Sequence, residues 1–173
     1  MEQQELEKII DGCKKGRNRA YTKMVDCFGD KFYRYFYRLT QNADISNELL
    51  SQLFLKVVKS VKTFKGGSFE SWLFGIASNL FNDYLRKKQR QKQLLKDYQQ
   101  QLSDQNRPET SLCTDSLDIA LARLSRQDRQ LLAMRYELEM TFKDIAQLQG
   151  LPLGTVLSRF HRVIAKLREL MES

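Results

Sequence analysis

At 173 residues the chain is long enough for one ordinary domain or two small ones, and its 42% hydrophobic content is sufficient for packed cores. The 29 lysines and arginines against 21 aspartates and glutamates give a formal net charge of +8, which makes nucleic acid the first partner to consider. No apolar run approaches the ~18 residues needed to span a bilayer, and the acidic, polar amino terminus is unlike a signal peptide, so we expect a cytoplasmic protein without membrane insertion.

The cysteine and histidine content argues against metal and disulfide chemistry. Three widely spaced cysteines and a single histidine cannot form a disulfide framework or a CxxC-type zinc site, and we expect no metal or cofactor. Cys13 and Cys27 lie on apolar helical patterns and are expected to be small core residues. Cys113 lies in a polar stretch and could be exposed, but nothing else in the sequence supports a redox role for it.

The first forty residues predict three short amphipathic helices. The first ends at the run from Lys14 to Gly16, and the second begins after Asn18 and ends at Gly29. The third begins at Asp30 and places three apolar residues on one face: Phe32, Phe36 and Leu39. Aromatic residues interleaved with arginines can stack on bases, although a core face with a cationic rim is the more common arrangement at this spacing.

The segment from Asp44 to Val61 is the cleanest helical pattern in the chain. Its apolar residues recur at offsets of 0, 1, 4, 5, 8, 9 and 12 from Leu49, which predicts one buried stripe: Leu49, Leu50, Leu53, Phe54, Val57, Val58 and Val61. The opposite face changes from polar, at residues 47–52, to basic, at Lys56 and Lys59. An outward polar face is ordinarily just solvated, so this pattern alone names no partner.

A glycine pair interrupts the helical pattern between Phe64 and Phe69, since glycine disfavours helix and permits positive φ. The next helix has an apolar stripe from Trp72 to Leu85 and continues into a basic end at residues 86–92. Its polar side carries Ser71, Ser78, Asn79 and Asp83. A shaped loop, a polar face and a basic end therefore follow one another along about seven helical turns.

The composition changes between Gln93 and Cys113, where polar residues replace large apolar ones, as is typical of a linker. Leu94, Leu95 and Tyr98 can prolong the preceding helix by a turn or two. Beyond this segment, residues 117–124 predict one helix, and Ser125 with Asp128 caps a second helix that precedes a turn at residues 137–140.

Residues 141–170 predict a helix, a tight turn and a second helix. Thr141 with Asp144 resembles a capping box, and Gly150, Pro152 and Gly154 break the pattern before the second helix begins. Opposite its apolar stripe that helix carries Thr155, Ser158, Arg159, His161 and Arg162. A short polar and basic face at the start of a second helix suits a reader of the major groove, and the alternative is an antiparallel helix pair with solvated arginines.

No strand-period segment, heptad array or internal repeat is visible, so the sequence predicts an all-α protein. It consists of two small helical domains joined by a flexible linker. The predicted boundaries are residues 1–92 for the first domain, 93–113 for the linker, and 114–173 for the second domain, which contains the helix-turn-helix.

Together these segments resemble the extracytoplasmic-function (ECF) group of bacterial RNA polymerase sigma factors. The family's second conserved region is similar to AYTKMVDCFGDKFYRYFYRLT, LFLKV and FKGGSFESWLFGIASNLFNDYLRKK, and its fourth region is similar to LSRQDRQLLAMRY and TFKDIAQLQGLPLGTVLSRFHRVIAKLREL. The resemblance covers nearly the whole chain. It implies a promoter-specificity subunit that binds core RNA polymerase, recognises two promoter DNA elements, directs transcription initiation and is not itself an enzyme.

The resemblance also implies which residues make these contacts. Docking on the clamp helices of the polymerase falls on Asn47, Glu48, Ser51, Gln52, Leu55 and Lys56. Strand separation and capture of bases at the minus-ten element fall on Phe64, Lys65, Gly66, Gly67, Ser68, Phe69, Asn79, Asp83, Arg86 and Lys87. Recognition of the minus-thirty-five element in the major groove falls on Pro152, Gly154, Thr155, Leu157, Ser158, Arg159, His161 and Arg162.

Two departures from the family pattern affect specificity. Asn47-Glu48 and Ser51-Gln52 stand where members commonly carry an acidic pair and a Gln-Glu, so we expect docking on the polymerase either to use altered contacts or to be weaker. Leu157 stands where a basic residue is frequent, which suggests an apolar contact, for instance with a thymine methyl group.

Other functions and states remain open at this point. A stand-alone helix-turn-helix transcriptional regulator is the alternative, but it leaves the loop at residues 64–69 and the basic end at residues 86–92 unexplained. An enzyme lacks support, because His161 sits among helix-turn-helix residues and neither a glycine-rich phosphate loop nor a suitably placed carboxylate pair is present. In the free protein we expect the two domains to move independently or to be clamped by an inhibitory partner such as an anti-sigma factor.

Overall fold

The computed structural model describes residues 3–99 and 116–172, and every regular element in these ranges is helical. The all-α prediction is therefore confirmed. None of these helices is both long and apolar enough to cross a bilayer. The elements in chain order are α1 (Gln3–Lys14), α2 (Asn18–Thr40), α3 (Ala43–Ser60), a 3-10 turn (Val61–Thr63), α4 (Phe69–Gln99), α5 (Ser116–Ala122), α6 (Arg126–Tyr136), α7 (Phe142–Gln149) and α8 (Leu153–Glu172).

The predicted helix end at Gly29 is wrong, because α2 continues through it to Thr40. An interior glycine costs a helix about 1 kcal/mol relative to alanine. Burial of one long apolar stripe outweighs that cost, since Met24, Phe28, Phe32, Tyr35, Phe36 and Leu39 are all buried along α2. The helix ends where Gln41 adopts a left-handed conformation, and the Gln41 backbone N–H donates to the Tyr37 carbonyl oxygen.

Helix α4 extends to Gln99, so residues 93–99 of the predicted linker are helical. The sequence there consists mostly of good helix formers and contains neither glycine nor proline, which explains the extension. The remainder of the predicted linker, including Cys113, lies outside the described residues.

The core of the first domain (α1–α4) is aromatic. Tyr35 of α2 is fully buried, and its ring meets those of Phe36 and Phe74 edge-to-face at centroid distances of 5.3 and 5.4 Å. Cys13 is also fully buried, as predicted, and burial raises the pKa of its thiol to about 11. Cys27 is half-buried.

The second domain (α5–α8) packs directly against the first. Helix α6 lies on α2, and the buried cluster of the first domain continues through Leu131, Met134 and Ile145 of the second. A smaller cluster within the second domain joins α5, α6 and α8 through Leu121, Leu124, Leu132 and Val163. One buried cluster therefore continues across both domains.

Helices α1 and α2 approach each other closely at Gly12. A Cβ atom at this position would lie 2.6 Å from the Cβ atom of Ala20, a distance that real Cβ atoms essentially never show. Neither atom is the flexible end of a side chain, so the helices themselves must separate to admit an alanine.

We expect Gly12→Ala to lower the free energy of unfolding by about 1–3 kcal/mol, because overpacking at the crossing outweighs the gain in helix propensity. The matched control is Gly75→Ala in α4, where an added Cβ meets nothing within 4 Å. This control should be neutral or stabilising by up to about 1 kcal/mol. Urea unfolding measures both, and equal stability of the two variants would contradict the predicted clash.

Candidate nucleic-acid interface

The helix-turn-helix is formed by local interactions that the sequence encodes. Thr141 caps α7 in a complete capping box with Asp144, as predicted. Gly150 then ends α7 in a left-handed conformation, with φ of 63°. Helix α8 begins at Leu153, one residue before Gly154, because the Pro152 carbonyl oxygen accepts hydrogen bonds from the backbone N–H groups of Thr155 and Val156. The predicted break at Gly154 is therefore wrong, since Gly154 is already the second residue of α8.

The start of α8 presents a polar face over a buried apolar one. Val156 is buried in the cluster that both domains share, and Val163 is buried in the smaller cluster of the second domain. Of the residues predicted to read the groove, Leu157 and Arg159 are half-buried. The others are exposed: Pro152, Gly154, Thr155, Ser158, His161 and Arg162. Between α6 and α8 a cavity of about 280 Å³ is lined by Arg159, Arg162 and Lys166 together with Ser125 and Asp128, so the cationic surface continues beside this face.

Arg159 differs from Arg162 in that its charge is already engaged within the domain. Its Nε and Nη2 atoms donate to Asp128 Oδ1 at 3.2 and 3.0 Å, and Nη2 also donates to Gln127 Oε1 at 2.9 Å. Burial disfavours ionisation of Asp128, but the hydrogen bonds from Ser125 and Arg159 outweigh it and lower its pKa. Arg159 therefore joins the recognition helix to the start of α6, a role that sequence reasoning missed.

The loop before α4 is shaped by aromatic residues that point inward. Phe64 and Phe69 are both buried, and their rings meet edge-to-face at 5.1 Å and pack against Trp72. Lys14 Nζ donates to the Phe64 carbonyl oxygen at 2.8 Å. The two phenylalanines thus anchor the loop, and the surface available to a DNA strand is the exposed stretch from Lys65 to Ser68.

The exposed stretch of the loop has backbone geometry that requires glycine. Gly66 and Gly67 have φ of 119° and 86°, values that residues with a Cβ rarely adopt. Ser68 ends the loop and starts α4, because its Oγ accepts a hydrogen bond from the Ser71 backbone N–H at 3.1 Å. The loop is therefore held at both ends. Any residue with a Cβ at position 66 or 67 would strain its backbone.

The outer side of α4 continues from this loop as a polar, then basic, surface. Asn79, Asp83, Arg86 and Lys87 are all exposed, as are the following residues to position 94. Asp83 and Arg86 form an ion pair at 3.3 Å, which exposed groups can exchange for a phosphate at small cost. The four predicted α4 residues thus lie on one exposed face of the helix, at offsets of 0, 4, 7 and 8 from Asn79.

The outer face of α3 is exposed along its whole length. Asn47, Glu48, Ser51, Leu55 and Lys56 are exposed and Gln52 is half-buried, while Leu49, Leu53 and Val57 fill the opposite side. Gln52 Nε2 donates to Glu48 Oε1 at 3.0 Å, so the residues that depart from the family pattern are partly paired with each other. Leu55 is 62% exposed and Val58 lies one turn further along the same face, also exposed. Val58 is a surface residue that sequence reasoning assigned to the core stripe.

Comparison with known proteins finds a family model that matches each domain. A model of sigma-70 region 2 matches residues 24–91, and a model of sigma-70 region 4 matches residues 114–167. The chain is 30% identical over 158 residues to the ECF RNA polymerase sigma factor SigE of Mycolicibacterium smegmatis, covering 88% of this chain but only 62% of SigE. It is 27% identical over 178 residues to the ECF RNA polymerase sigma factor SigW of Bacillus subtilis, covering 95% of each.

Solved structures show the same fold. The chain superimposes with a TM-score of 0.71, at 22% identity, on the sigma factor RpoE in complex with the anti-sigma factor NepR from Bartonella quintana, covering 88% of this chain and 96% of that one. For CnrH in complex with the cytosolic domain of CnrY the TM-score is 0.70 at 18% identity, covering 95% of both chains. Because the two family models together match more than half of the sequence in the order region 2 then region 4, the chain belongs to the sigma-70 family of RNA polymerase sigma factors, in the ECF group.

Proposed function

We propose that this sigma factor divides its work among three surfaces: α3 binds core RNA polymerase, the loop with α4 opens the minus-ten element, and α8 reads the minus-thirty-five element. The observation that carries the proposal is that each surface is exposed on a helix whose opposite side is buried. Every predicted contact then belongs to a rigid scaffold, as specific recognition requires.

Docking through α3 combines a polar start with an apolar and basic continuation. Asn47, Glu48 and Ser51 offer hydrogen bonds, while Leu55 supplies an apolar anchor flanked by Lys56. A large apolar side chain left in water on a helix of a soluble protein is a feature of interaction sites. We therefore assign Leu55 the central position of the polymerase contact.

Opening of the minus-ten element requires a pocket for an unpaired base and cations for its backbone. The exposed loop residues Lys65 to Ser68 provide glycine backbone that a base can approach closely, and Asn79 and Asp83 add hydrogen-bonding groups. Arg86 and Lys87 then contact phosphates. Phe64 and Phe69 contribute by shaping the loop from within.

Reading of the minus-thirty-five element falls on the exposed start of α8. Thr155, Ser158 and Arg162 face outward together, and Pro152 and Gly154 allow the DNA backbone to approach the helix start. Leu157 is half-buried, so its exposed part supplies the apolar contact at that position. Arg159 acts mainly by holding α8 in place.

The protein acts by binding and catalyses no reaction, since bond formation belongs to the polymerase. We expect it to act in the cytoplasm, because RNA polymerase and promoter DNA are located there. The similar sigma factor RpoE has been crystallised with the anti-sigma factor NepR, and we propose that this chain too is held by an anti-sigma partner.

Reconstituted run-off transcription tests the proposal as a whole. Core polymerase supplied with the protein and a library of genomic fragments should start at discrete promoters that core polymerase alone ignores. The selected fragments then give the promoter sequence. A stand-alone regulator would bind duplex DNA by itself and would not co-elute with the polymerase.

We expect Leu55→Asp to weaken binding to core polymerase by roughly tenfold or more, because a charge replaces a central apolar anchor. The matched control is Val25→Asp, which makes the same change at a valine on α2 that is 43% exposed. Co-elution and a binding titration measure the effect. Equal losses of polymerase affinity in both variants would contradict a specific role for Leu55 in the contact.

The loop prediction concerns its two glycines. Replacement of Gly66 and Gly67 by alanine forces the backbone out of its positive-φ conformation, so promoter opening should fall while binding to the upstream element is retained. Permanganate reactivity of unpaired thymines reports opening, and protection of the upstream duplex reports binding. Gly75→Ala is the control, and unaltered opening in the double variant would remove the loop from the mechanism.

The two arginines of α8 should separate recognition from stability. In the holoenzyme, Arg162→Ala should weaken binding to the upstream element by roughly five- to a hundredfold, since a groove-facing cation is lost, without lowering the melting temperature. Arg159→Ala should instead destabilise the protein by about 1–3 kcal/mol, because the half-buried Asp128 loses its cationic partner and keeps only Ser125.

Duplex-binding titrations and thermal unfolding measure the two effects of the α8 substitutions. Lys23→Ala on α2 is the control for loss of one positive charge. If Arg162→Ala binds the upstream duplex as tightly as this control, α8 does not read DNA through that residue.

A further inference from the structure

The second domain contains a cavity of about 220 Å³ that none of the surfaces proposed above uses. Residues of α5, α6 and α8 line it, together with Arg38 of α2. Its wall is mainly apolar and includes five aliphatic side chains: Leu117, Leu121, Leu132, Ile164 and Leu167. A wall of this kind suits an apolar group better than ordered water, because a buried water needs about two to four polar partners.

One cation lines this apolar space without a partner. Arg129 of α6 is half-buried, and its Nε is fully buried with no hydrogen-bond acceptor among the residues that the structure describes. Burial lowers the pKa of its guanidinium group. A buried donor without an acceptor is costly, and a ligand that brings an acceptor to it gains what the protein itself does not supply.

The carboxylate that lines the cavity is engaged by other cations. Glu137, at the end of α6, has a side chain that is only 14% exposed, and it joins the second domain to α2 of the first. Its Oε2 lies 3.1 Å from Arg34 Nε, and its Oε1 lies 3.1 Å from Arg38 Nε. Both oxygens are therefore occupied by arginines other than Arg129. The lining carries two guanidinium groups, of Arg38 and Arg129, against this one carboxylate, so one further anion would balance its charge.

The size and chemistry of the cavity restrict what this anion can be. Since a water molecule occupies about 30 Å³ of the liquid, the space holds roughly seven waters or an organic molecule of about ten heavy atoms. Inorganic phosphate or sulfate would lose its hydration against the apolar wall. A purely apolar molecule would fill the wall but leave Arg129 Nε without an acceptor. A short aliphatic chain that ends in a carboxylate satisfies both requirements.

We propose that this cavity is a binding site for a small amphipathic carboxylic acid, whose carboxylate pairs with Arg129 and whose aliphatic chain lies among the leucines of α5, α6 and α8. The two oxygens of such a carboxylate can accept hydrogen bonds from Nε and one Nη of the same guanidinium group, which is the bidentate geometry that arginine favours. This site is additional to the faces assigned to polymerase and to promoter DNA, and it exists whether or not those assignments hold.

Three probes separate the contributions of charge and chain in calorimetric titrations of the full-length protein. Octanoate carries both groups, octan-1-ol carries the same chain without the charge, and acetate carries the charge without the chain. Octanoate, below the concentration at which it forms micelles, should bind with one-to-one stoichiometry and a dissociation constant between about 1 μM and 1 mM. The other two probes should bind at least about tenfold more weakly, because each lacks one half of the interaction.

Two substitutions locate the binding in the cavity. Arg129→Met keeps the length of the side chain and removes the charge, so octanoate should bind about tenfold or more weakly while octan-1-ol is little affected. The melting temperature should be unchanged or raised, since a buried cation without a partner is lost. Leu167→Trp fills the space from α8 and should abolish binding of octanoate. Arg126→Met, at an exposed position on the same helix as Arg129, is the matched control and should bind octanoate like the wild type.

The possible outcomes decide the assignment. Absence of saturable octanoate binding to the wild type would show that water or the chain itself fills the cavity, and would refute the site. Octanoate affinity that survives both Arg129→Met and Leu167→Trp would place the binding elsewhere on the surface. Equal affinities for octanoate and octan-1-ol would refute the role of Arg129. Transcription by the reconstituted polymerase tests the proposed function separately, because none of these titrations contains polymerase or DNA.

Discussion

Helix α2 carries the constraint on which the rest of the structure depends, because its aromatic residues must be buried on more than one side. Tyr35 has no exposed surface. Its ring packs against Phe36 and Phe74 of its own domain, and its hydroxyl accepts a hydrogen bond from Gln130 of the second domain. Burial raises the pKa of the Tyr35 hydroxyl, whose polar atom still requires a partner. Gln130 supplies that partner, so the two domains meet where an aromatic core would otherwise be incomplete.

Burial of aromatic residues also explains the shape of the DNA-facing surfaces. In the loop before α4, Phe64 and Phe69 are removed from the surface together with Trp72, and the chain between them is forced into a short exposed arch. Glycine at positions 66 and 67 permits that arch. Surface chemistry at this site is therefore the consequence of core packing a few residues away.

Electrostatics separate the cations of this protein into two groups. Arg34, Arg38 and Arg159 are bound to carboxylates that pack the helices together. Lys65, Lys87 and Arg162 lie on exposed faces where a phosphate can approach. The net charge of +8 is therefore a poor guide to the DNA-binding surface, since part of the positive charge is used to hold the fold.

The sequence by itself determined the features that depend on neighbours along the chain. Helical periodicity predicted α3 and α8, the capping box at Thr141 and Asp144 predicted the start of α7, and the glycine pair predicted the loop. Local rules failed where long-range burial competed with them, as at Gly29, which the stripe of α2 carries through as helix. Only the tertiary structure decided that Phe64 and Phe69 point inward, that Arg159 is held by Asp128, and that Glu137 joins the domains. Each of these depends on which residues, distant in the sequence, are buried next to one another. A helical period of 3.6 residues predicts the face on which a side chain lies, but it does not predict which residues of other helices contact that side chain.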